Sequence, residues 1–394
     1  MSRIFLGTSG WSYKEWVGPL YDSEDEVGLS SYAKVFDTAE INSTFYAYPS
    51  KGIVYGWAKH SKKGFIFTAK IPRLITHEKK LALEKDVEGD LNRFCDLMDP
   101  LRLRGKLGCL LIQLPPRFER DYERLEGFLK ILPDRFRFAV EFRHRSWMID
   151  EAWRLLEKYN VAYTIVDEPL LPPEVHVTAD LAYFRWHGRG HRPWFNYLYD
   201  VEELEPWIPR IREVSERVEV TLGYFNNHFH GYAVENCLQV LEMLGLLSHE
   251  QAQAKEKAEE HLEERMVKRA KEKKRGLVEF IGAGAEVFDD LLREFIDEKR
   301  LVRARRIRDD EIMVEKSEGN LISARIRDYR VVIDLEARTI LHDCADWDRC
   351  IPRKRFCKHM GKVFLVLPRE SATSILERIR SEKEGWEFRP IVEQ

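Results

Sequence analysis

Residues 109–114 read CLLIQL, five apolar residues of six with no polar–apolar alternation. A strand with one face in water alternates with period two. A run this continuously apolar needs cover on both faces, as a parallel strand of an α/β protein has. Seven further stretches share its character: RIFLGTS (3–9), TAEIN (38–42), FIFTAKI (65–71), FRFAVEF (136–142), VAYTIVD (161–167), LAYFRWH (181–187) and VEVTLGYFN (218–226). Amphipathic stretches such as DLNRFCDLMDPLR, DYERLEGFLKIL and VEELEPWIPRIREVSERV separate most of them. The sixth connection, EPLLPPEVHVTAD, is Pro-rich and offers no helix. Eight strands with mostly helical crossovers predict the α/β class, as a (β/α)8 TIM-type barrel over residues 1–247.

Beyond the barrel the composition changes. Residues 248–275, SHEQAQAKEKAEEHLEERMVKRAKEKKR, carry few large apolar side chains and many Glu/Lys partners at helical spacing, so they read as a charged helical linker. An amphipathic helix follows in AEVFDDLLREFIDEKRL, then alternating stretches with a turn signal at Glu318–Gly319–Asn320 that predict an antiparallel meander. Residues 276–394 are thus expected to form a small α+β zinc-binding domain. In a chain of 394 residues with 44% hydrophobic and 12% aromatic content, the core material suits two globular domains. No apolar run approaches a membrane span, and the start resembles neither a signal peptide nor a presequence; the cytoplasm is the expected location.

Three of the six cysteines lie in CADWDRCIPRKRFCKHMG (344–361). Cys344, Cys350, Cys357 and His359 offer three thiolates and an imidazole, the donor set of a closed tetrahedral structural zinc site. His342 reads as a bystander or an outer-shell residue. Cys95, Cys109 and Cys237 stand alone in apolar surroundings and read as buried free thiols. The net charge of −3 hides three basic runs, KRAKEKKR (268–275), KRLVRARRIR (299–308) and RKRFCK (353–358). One such run is explained by a solvated helix face, whereas three around a metal site point to a phosphate backbone, with Arg303, Arg305, Arg306, Arg308, Arg353, Lys354 and Arg355 as candidate contacts.

Two resemblances add to this reading. The strands before the cluster, the ending CKHMGKVFLVL and the C-x-H spacing resemble a SWIM zinc finger over roughly residues 310–368, a module associated with binding DNA or protein. That family usually has one residue between its first two cysteines, whereas five lie between Cys344 and Cys350. The segments GTSGWSY, EINSTFY, KIPRLITH, QLPP, EFRHRSW, FRWHG and YFNNHFHGYAVEN, in that order over residues 3–247, resemble the family called domain of unknown function seventy-two. That resemblance implies a TIM-type barrel and supplies no chemistry.

The chemistry is sought where the reacting groups of such barrels stand, at the C-terminal strand ends. These ends offer Glu40, Lys70, Glu141, Asp167, Arg185, His187 and Asn226. Glu141, then Asp167, is the expected acid/base group. Lys70 would hold a phosphate or attack a sugar aldehyde, Arg185 would offset developing negative charge, and Trp11, Tyr13, Phe45, Tyr46, Trp147 and Trp186 would stack on a base or sugar. Magnesium or manganese at the mouth is a further expectation, with His77, His144 and His187 as possible ligands. The function expected is a nucleic-acid-processing hydrolase of the DNA-repair type, a nuclease or glycosylase whose zinc domain grips the backbone. The alternatives are a phosphosugar-type enzyme with a protein-binding zinc domain, or a non-catalytic binding adaptor.

Overall fold

The computed structural model describes residues 3–190, 193–278, 284–316 and 320–391, without the side chains of 268–287 and 316. Eight parallel strands close into a barrel in chain order: β1 (Arg3–Ser9), β2 (Thr38–Ile41), β3 (Ile66–Lys70), β4 (Leu107–Gln113), β5 (Phe138–Glu141), β6 (Ala162–Asp167), β7 (Leu181–Trp186) and β8 (Val220–Phe225). All eight expected strands are present. Closure comes from β8 pairing with β1 along Arg3–Thr8. Between β6 and β7 no helix intervenes, as the prolines of that connection foretold.

Alternation along each strand sorts the side chains. The lumen is apolar at its base, where Cys109, Leu111, Ala139, Ala162, Leu181 and Leu222 pack together. Above them come paired hydroxyls, Thr38 with Tyr224 at 2.7 Å and Thr68 with Tyr183 at 2.8 Å. Ionised groups occupy the top. A narrow lumen holds no bulk water, so each buried polar group must find a protein partner, and the partners sit on neighbouring or opposite strands. Gly7 allows close approach of β1 and β2, since a Cβ there would lie 2.3 Å from the Thr38 carbonyl oxygen.

The barrel unit extends further than 247, comprising Met1–His261. The helix His249–Val278 begins within it, and Ala254 and Ala258 on that helix are buried in the barrel's core cluster. Lys257 pairs with Asp22 and donates to the Leu20 carbonyl at 3.3 Å. The first half of the expected linker is therefore a structural part of the barrel, recognised through small alanines that a search for large apolar residues overlooks.

The second unit, Leu262–Gln394, carries β9 (Ile312–Lys316), β10 (Leu321–Ile326), β11 (Tyr329–Asp334), β12 (Thr339–His342) and β13 (Glu387–Pro390) in the sheet order β13-β12-β11-β10-β9. β9 to β12 form the expected antiparallel meander, and β13 joins β12 in parallel. Ile322, Ala324, Ile326, Val331, Ile333 and Ile340 bury the inner face against Phe295, Phe356, Met360, Phe364 and Leu376. The single helix expected over 285–301 is two, Gly284–Arg293 and Glu298–Arg306, because the Asp297 side chain caps the second by accepting the Arg300 amide at 2.8 Å. Glu318 and Gly319 of the expected turn lie outside the described residues, as do the side chains of the 268–275 basic run. Among the described residues no helix is long and apolar enough to cross a membrane.

Replacing Ala258 by Asp should destabilise the barrel by at least about 2 kcal/mol, because a charge would be forced into a fully buried site. Thermal denaturation of the full chain checks this; an unchanged barrel transition would return residues 248–261 to a free linker.

Candidate functional site

The inward positions at the C-terminal strand ends converge on Arg185 of β7. Its Nη2 donates to Glu40 Oε1 at 2.7 Å and its Nη1 to Glu141 Oε2 at 2.5 Å. The guanidinium is 2% exposed and both carboxylates are fully buried. Glu40 also accepts from Ser9 Oγ and Tyr183 OH, each at 2.7 Å. Glu141 accepts from Arg143 Nη1 at 2.8 Å, and Arg143 reaches Glu168 Oε2 at 2.9 Å. His187 meets Asn226 Nδ2 through Nδ1 at 3.1 Å, and its Nε2 lies 3.2 Å from Arg143 Nη1, 3.4 Å from Arg185 Nη1 and 3.3 Å from Glu141 Oε1.

This arrangement separates the proton affinities. Burial pushes the Glu141 carboxyl up, but Arg185, His187 and Arg143 outweigh it and hold the group well below the carboxylate range. Burial instead raises Glu168 to about 7, with Arg143 only partly opposing it. Lys70 is lowered to about 7 by burial and then by Arg185. His187 falls to about 4 through burial, so its imidazole is neutral at neutral pH. Two groups, Lys70 and Glu168, are thus left able to exchange protons near pH 7.

A cavity of about 690 Å³ opens above this layer. Lys70, Gln113, Arg143, Arg185, His187 and Asn226 line its floor, and Tyr13, Tyr46, Trp194, Phe195 and His228 contribute aromatic walls. Tyr13 stacks on His228 with ring centres 4.7 Å apart, and His228 on Phe195 at 5.3 Å. Lys70 Nζ sits 3.9 Å from the Phe45 ring centroid and makes no hydrogen bond or ion pair among the described residues.

In the second unit, His342, Cys344, Cys357 and His359 are buried with their ligand atoms within 4.8 Å of one another. His342 stands at the end of β12, and Cys357 and His359 at the start of the helix Lys358–Val366. Burial raises the Cys357 thiol, but Cys344, His342 and His359 more than offset this and hold it well below the ordinary range. His342 Nδ1 donates to the Arg330 carbonyl at 2.6 Å, which leaves Nε2 as a bare lone pair. That Nε2 and both ring nitrogens of His359 are buried without a hydrogen-bond partner. Two thiols, two imidazoles and these orphaned nitrogens fit a tetrahedral metal such as zinc. Cys350 is outside the group. It ends the short helix Trp347–Cys350, buried in the core, and burial pushes its thiol up to about 12. His342 therefore corrects Cys350 as the fourth donor. The H-x-C spacing of His342 and Cys344, mirrored by the C-x-H of Cys357 and His359, is the signal in the sequence that marks His342 as a donor.

Residues 5–261 match the family described as Protein of unknown function DUF72. The chain belongs to the DUF72 family. It is 24% identical over 269 residues to UPF0759 protein YunF of Bacillus subtilis, covering 62% of this chain and 95% of that protein. With UPF0759 protein YecE of Escherichia coli K12 it shares 34% identity over 142 residues, 36% of this chain and 48% of that protein. The crystal structure of a DUF72 family protein from Thermotoga maritima matches with a TM-score of 0.57 and 33% identity, covering 62% of this chain and 99% of that one. The DUF72 match ends at 261, so the metal-ligand group lies outside it.

The DUF72 barrel brings Glu40, Lys70, Glu141, Arg185, His187 and Asn226 together, as expected. It does not bring Asp167 with them. Asp167 points outward and is saturated by Arg189 Nε at 2.8 Å and Nη2 at 2.6 Å, Tyr199 OH at 3.1 Å and Trp207 Nε1 at 3.0 Å. Glu168, its neighbour, is the inward carboxyl, and the period of two along β6 from Thr164 would have found it. Glu141 is held as a permanent anion, which suits it to anchoring Arg185 and not to the acid/base role expected of it. Trp11 packs edge-on against Trp57 and Phe67, and Trp147 and Trp186 are buried with Phe142 and Phe225, so none of these three lines the cavity. His144 bonds Ser146 instead of a mouth group. Among the described residues the mouth offers no cluster of metal donors, since Glu40 and Glu141 spend their oxygens on the arginines; the expected magnesium or manganese site lacks its ligands.

The basic runs are also partly neutralised. Arg305 pairs with Asp289, Arg308 with Asp310, and Lys354 donates to the carbonyls of Lys383 and Glu384. Arg303 is half-buried. Arg306, Arg353 and Arg355 are exposed, with side chains that make no hydrogen bond or ion pair among the described residues.

Two outcomes check this geometry. Metal analysis should find one equivalent of zinc per chain in the wild type and in Cys350→Ala, and well under half in His342→Ala or Cys357→Ala; loss in Cys350→Ala but not in His342→Ala would restore Cys344, Cys350, Cys357 and His359 as the donor set. Glu141→Gln should cost about 3 kcal/mol in chemical denaturation, since it leaves Arg185 buried with one anionic partner fewer. A variant as stable as wild type would show that Glu40 alone neutralises Arg185.

Proposed function

We propose that the DUF72 barrel is an enzyme that processes nucleic acid one nucleotide at a time, of the glycosylase type and not a metal-dependent nuclease. The observation that carries this reading is the mouth: a cavity of about 690 Å³ with aromatic walls and Lys70, lowered to about 7, in its floor, while Glu168, raised to about 7, pairs with the floor residue Arg143. That volume is ordinary for a pocket enclosing one small ligand, and a base or sugar turned out of a strand presents faces that stack on such walls. Proton exchange at neutral pH is what cleavage of a base–sugar bond asks of its catalyst. The carboxylates beside the cavity are committed to arginines, which is why a two-metal phosphodiester mechanism is not favoured.

The second unit supports the same reading. Its H-x-C and C-x-H donor pairs restore the one-residue spacing of a SWIM-type zinc finger, with His342 in place of the first cysteine. Zinc held there would tie β12 to the helix Lys358–Val366 and fix the fold of the unit. Arg306, Arg353 and Arg355 are its unpaired contacts for phosphate.

A second reading rests on the remaining basic residues. Because Arg305, Arg308 and Lys354 are already engaged, a phosphosugar-type barrel enzyme with a protein-binding zinc unit accounts for them without nucleic acid. The purified full chain, given labelled single-stranded, duplex, abasic and base-damaged DNA without added divalent metal, should form product from the damaged or unpaired substrates only. Replacing Arg306, Arg353 and Arg355 by alanine should weaken binding and flatten its salt dependence by up to about 3 logarithmic units per decade. No product from any of these DNAs, together with turnover of a sugar phosphate, would establish the second reading.

A further inference from the structure

Among the described residues Lys70 is the cavity-lining cation that makes no ion pair of its own. Around it, Arg185 is met by Glu40 and Glu141, and Arg143 by Glu141 and Glu168. Lys70 is a further ionisable group in direct reach of the cavity, buried and without an ion pair among the described residues, its Nζ facing the Phe45 ring. An ammonium meant to grip phosphate is placed where water and counter-charge keep it protonated. A buried amine that has no carboxylate paired with it is placed to give up its proton, and a neutral primary amine is a nucleophile.

We propose that Lys70 captures carbonyl carbon: its Nζ adds to the open-chain aldehyde of a sugar held in the mouth and forms an iminium. This deepens the nucleotide-processing reading and rests on it for the identity of the sugar. The nitrogen lone pair forms the C–N bond as the carbonyl π pair moves to oxygen. A proton passes from nitrogen to that oxygen, giving a carbinolamine. A second proton transfer to the hydroxyl lets it leave as water while nitrogen forms the C=N bond, so ammonium plus aldehyde yields iminium plus water with no outside oxidant or reductant. The iminium then draws electrons from the neighbouring carbon, the activation a lyase needs to expel a β-phosphate. The amine fraction available for this addition rises with pH through about 7.

The full chain is incubated with sodium cyanoborohydride and, separately, 2-deoxyribose 5-phosphate and an oligonucleotide bearing one abasic site. Intact mass and peptide mapping should show one adduct per chain, on Lys70, increasing at least fivefold from pH 6 to pH 8. Lys70→Arg and Lys70→Met should lose it while keeping a wild-type melting temperature. If either variant is unfolded, mapping of the wild-type adduct decides alone. Adducts scattered over surface lysines, an equal yield in Lys70→Arg, or none with either probe would overturn the proposal. An adduct on Lys70 with the free sugar but not with the oligonucleotide would keep the amine chemistry and overturn nucleic acid as its source. Processing of the abasic strand at the wild-type rate by Lys70→Arg would overturn the amine and leave the nucleic-acid reading standing.

Discussion

A guanidinium taken out of water in the middle of a protein is tolerable only if its charge and its N–H groups are met by fixed partners. Arg185 imposes that demand on the barrel. Its two anions come from β2 and β5, strands three places apart round the barrel, and each anion needs partners of its own: Ser9 and Tyr183 for Glu40, Arg143 and the nearby His187 ring for Glu141. Seven side chains are therefore mutually oriented before any ligand arrives. The cost of breaking one member is shared by all, which makes the layer stiff, and stiffness at the floor is what pre-organises the cavity above it.

The second unit solves a different problem. Its sheet has edges and a modest core, and two of its donor residues sit at the end of a strand and at the first turn of a helix. Uniting these ends in one metal would fasten sheet to helix at its first turn, beside the apolar contact that Met360 and Phe364 of the helix already make. The hydrogen bond from His342 to the Arg330 carbonyl belongs to β11 as well as β12, so the orientation of a ligand is set by strand pairing itself.

Most of the barrel was legible because its signal is repeated eight times: a continuous apolar run followed by a polar residue. What was not legible turned on single-residue parity and on neighbours far away in sequence. Asp167 and Glu168 are adjacent, and which one faces the lumen is settled by the pleat and by Arg189, Tyr199 and Trp207 waiting outside. The aromatic walls formed by Trp194, Phe195 and His228 lie in connections whose paths no periodicity reveals. Cys350 reads as a ligand from its residue type, though its helix turns it into the core; His342 reads as a bystander because nothing in the sequence shows that the end of its strand meets Cys357 and His359. The basic runs overstated the surface charge because composition does not show Asp289 or Asp310 beside them.

The charge balance of the mouth reaches beyond the site. Glu40 and Glu141 against Arg185 and Arg143 sum to nothing, and Lys70 and Glu168, both titrating near 7, offset one another when both are charged. Such an arrangement projects almost no field past a Debye length of about 8 Å at physiological salt. Encounter with the mouth is then governed by unsteered diffusion, with a rate insensitive to ionic strength. A mouth built this way discriminates by contact and not by attraction from a distance, so what it admits is decided after encounter.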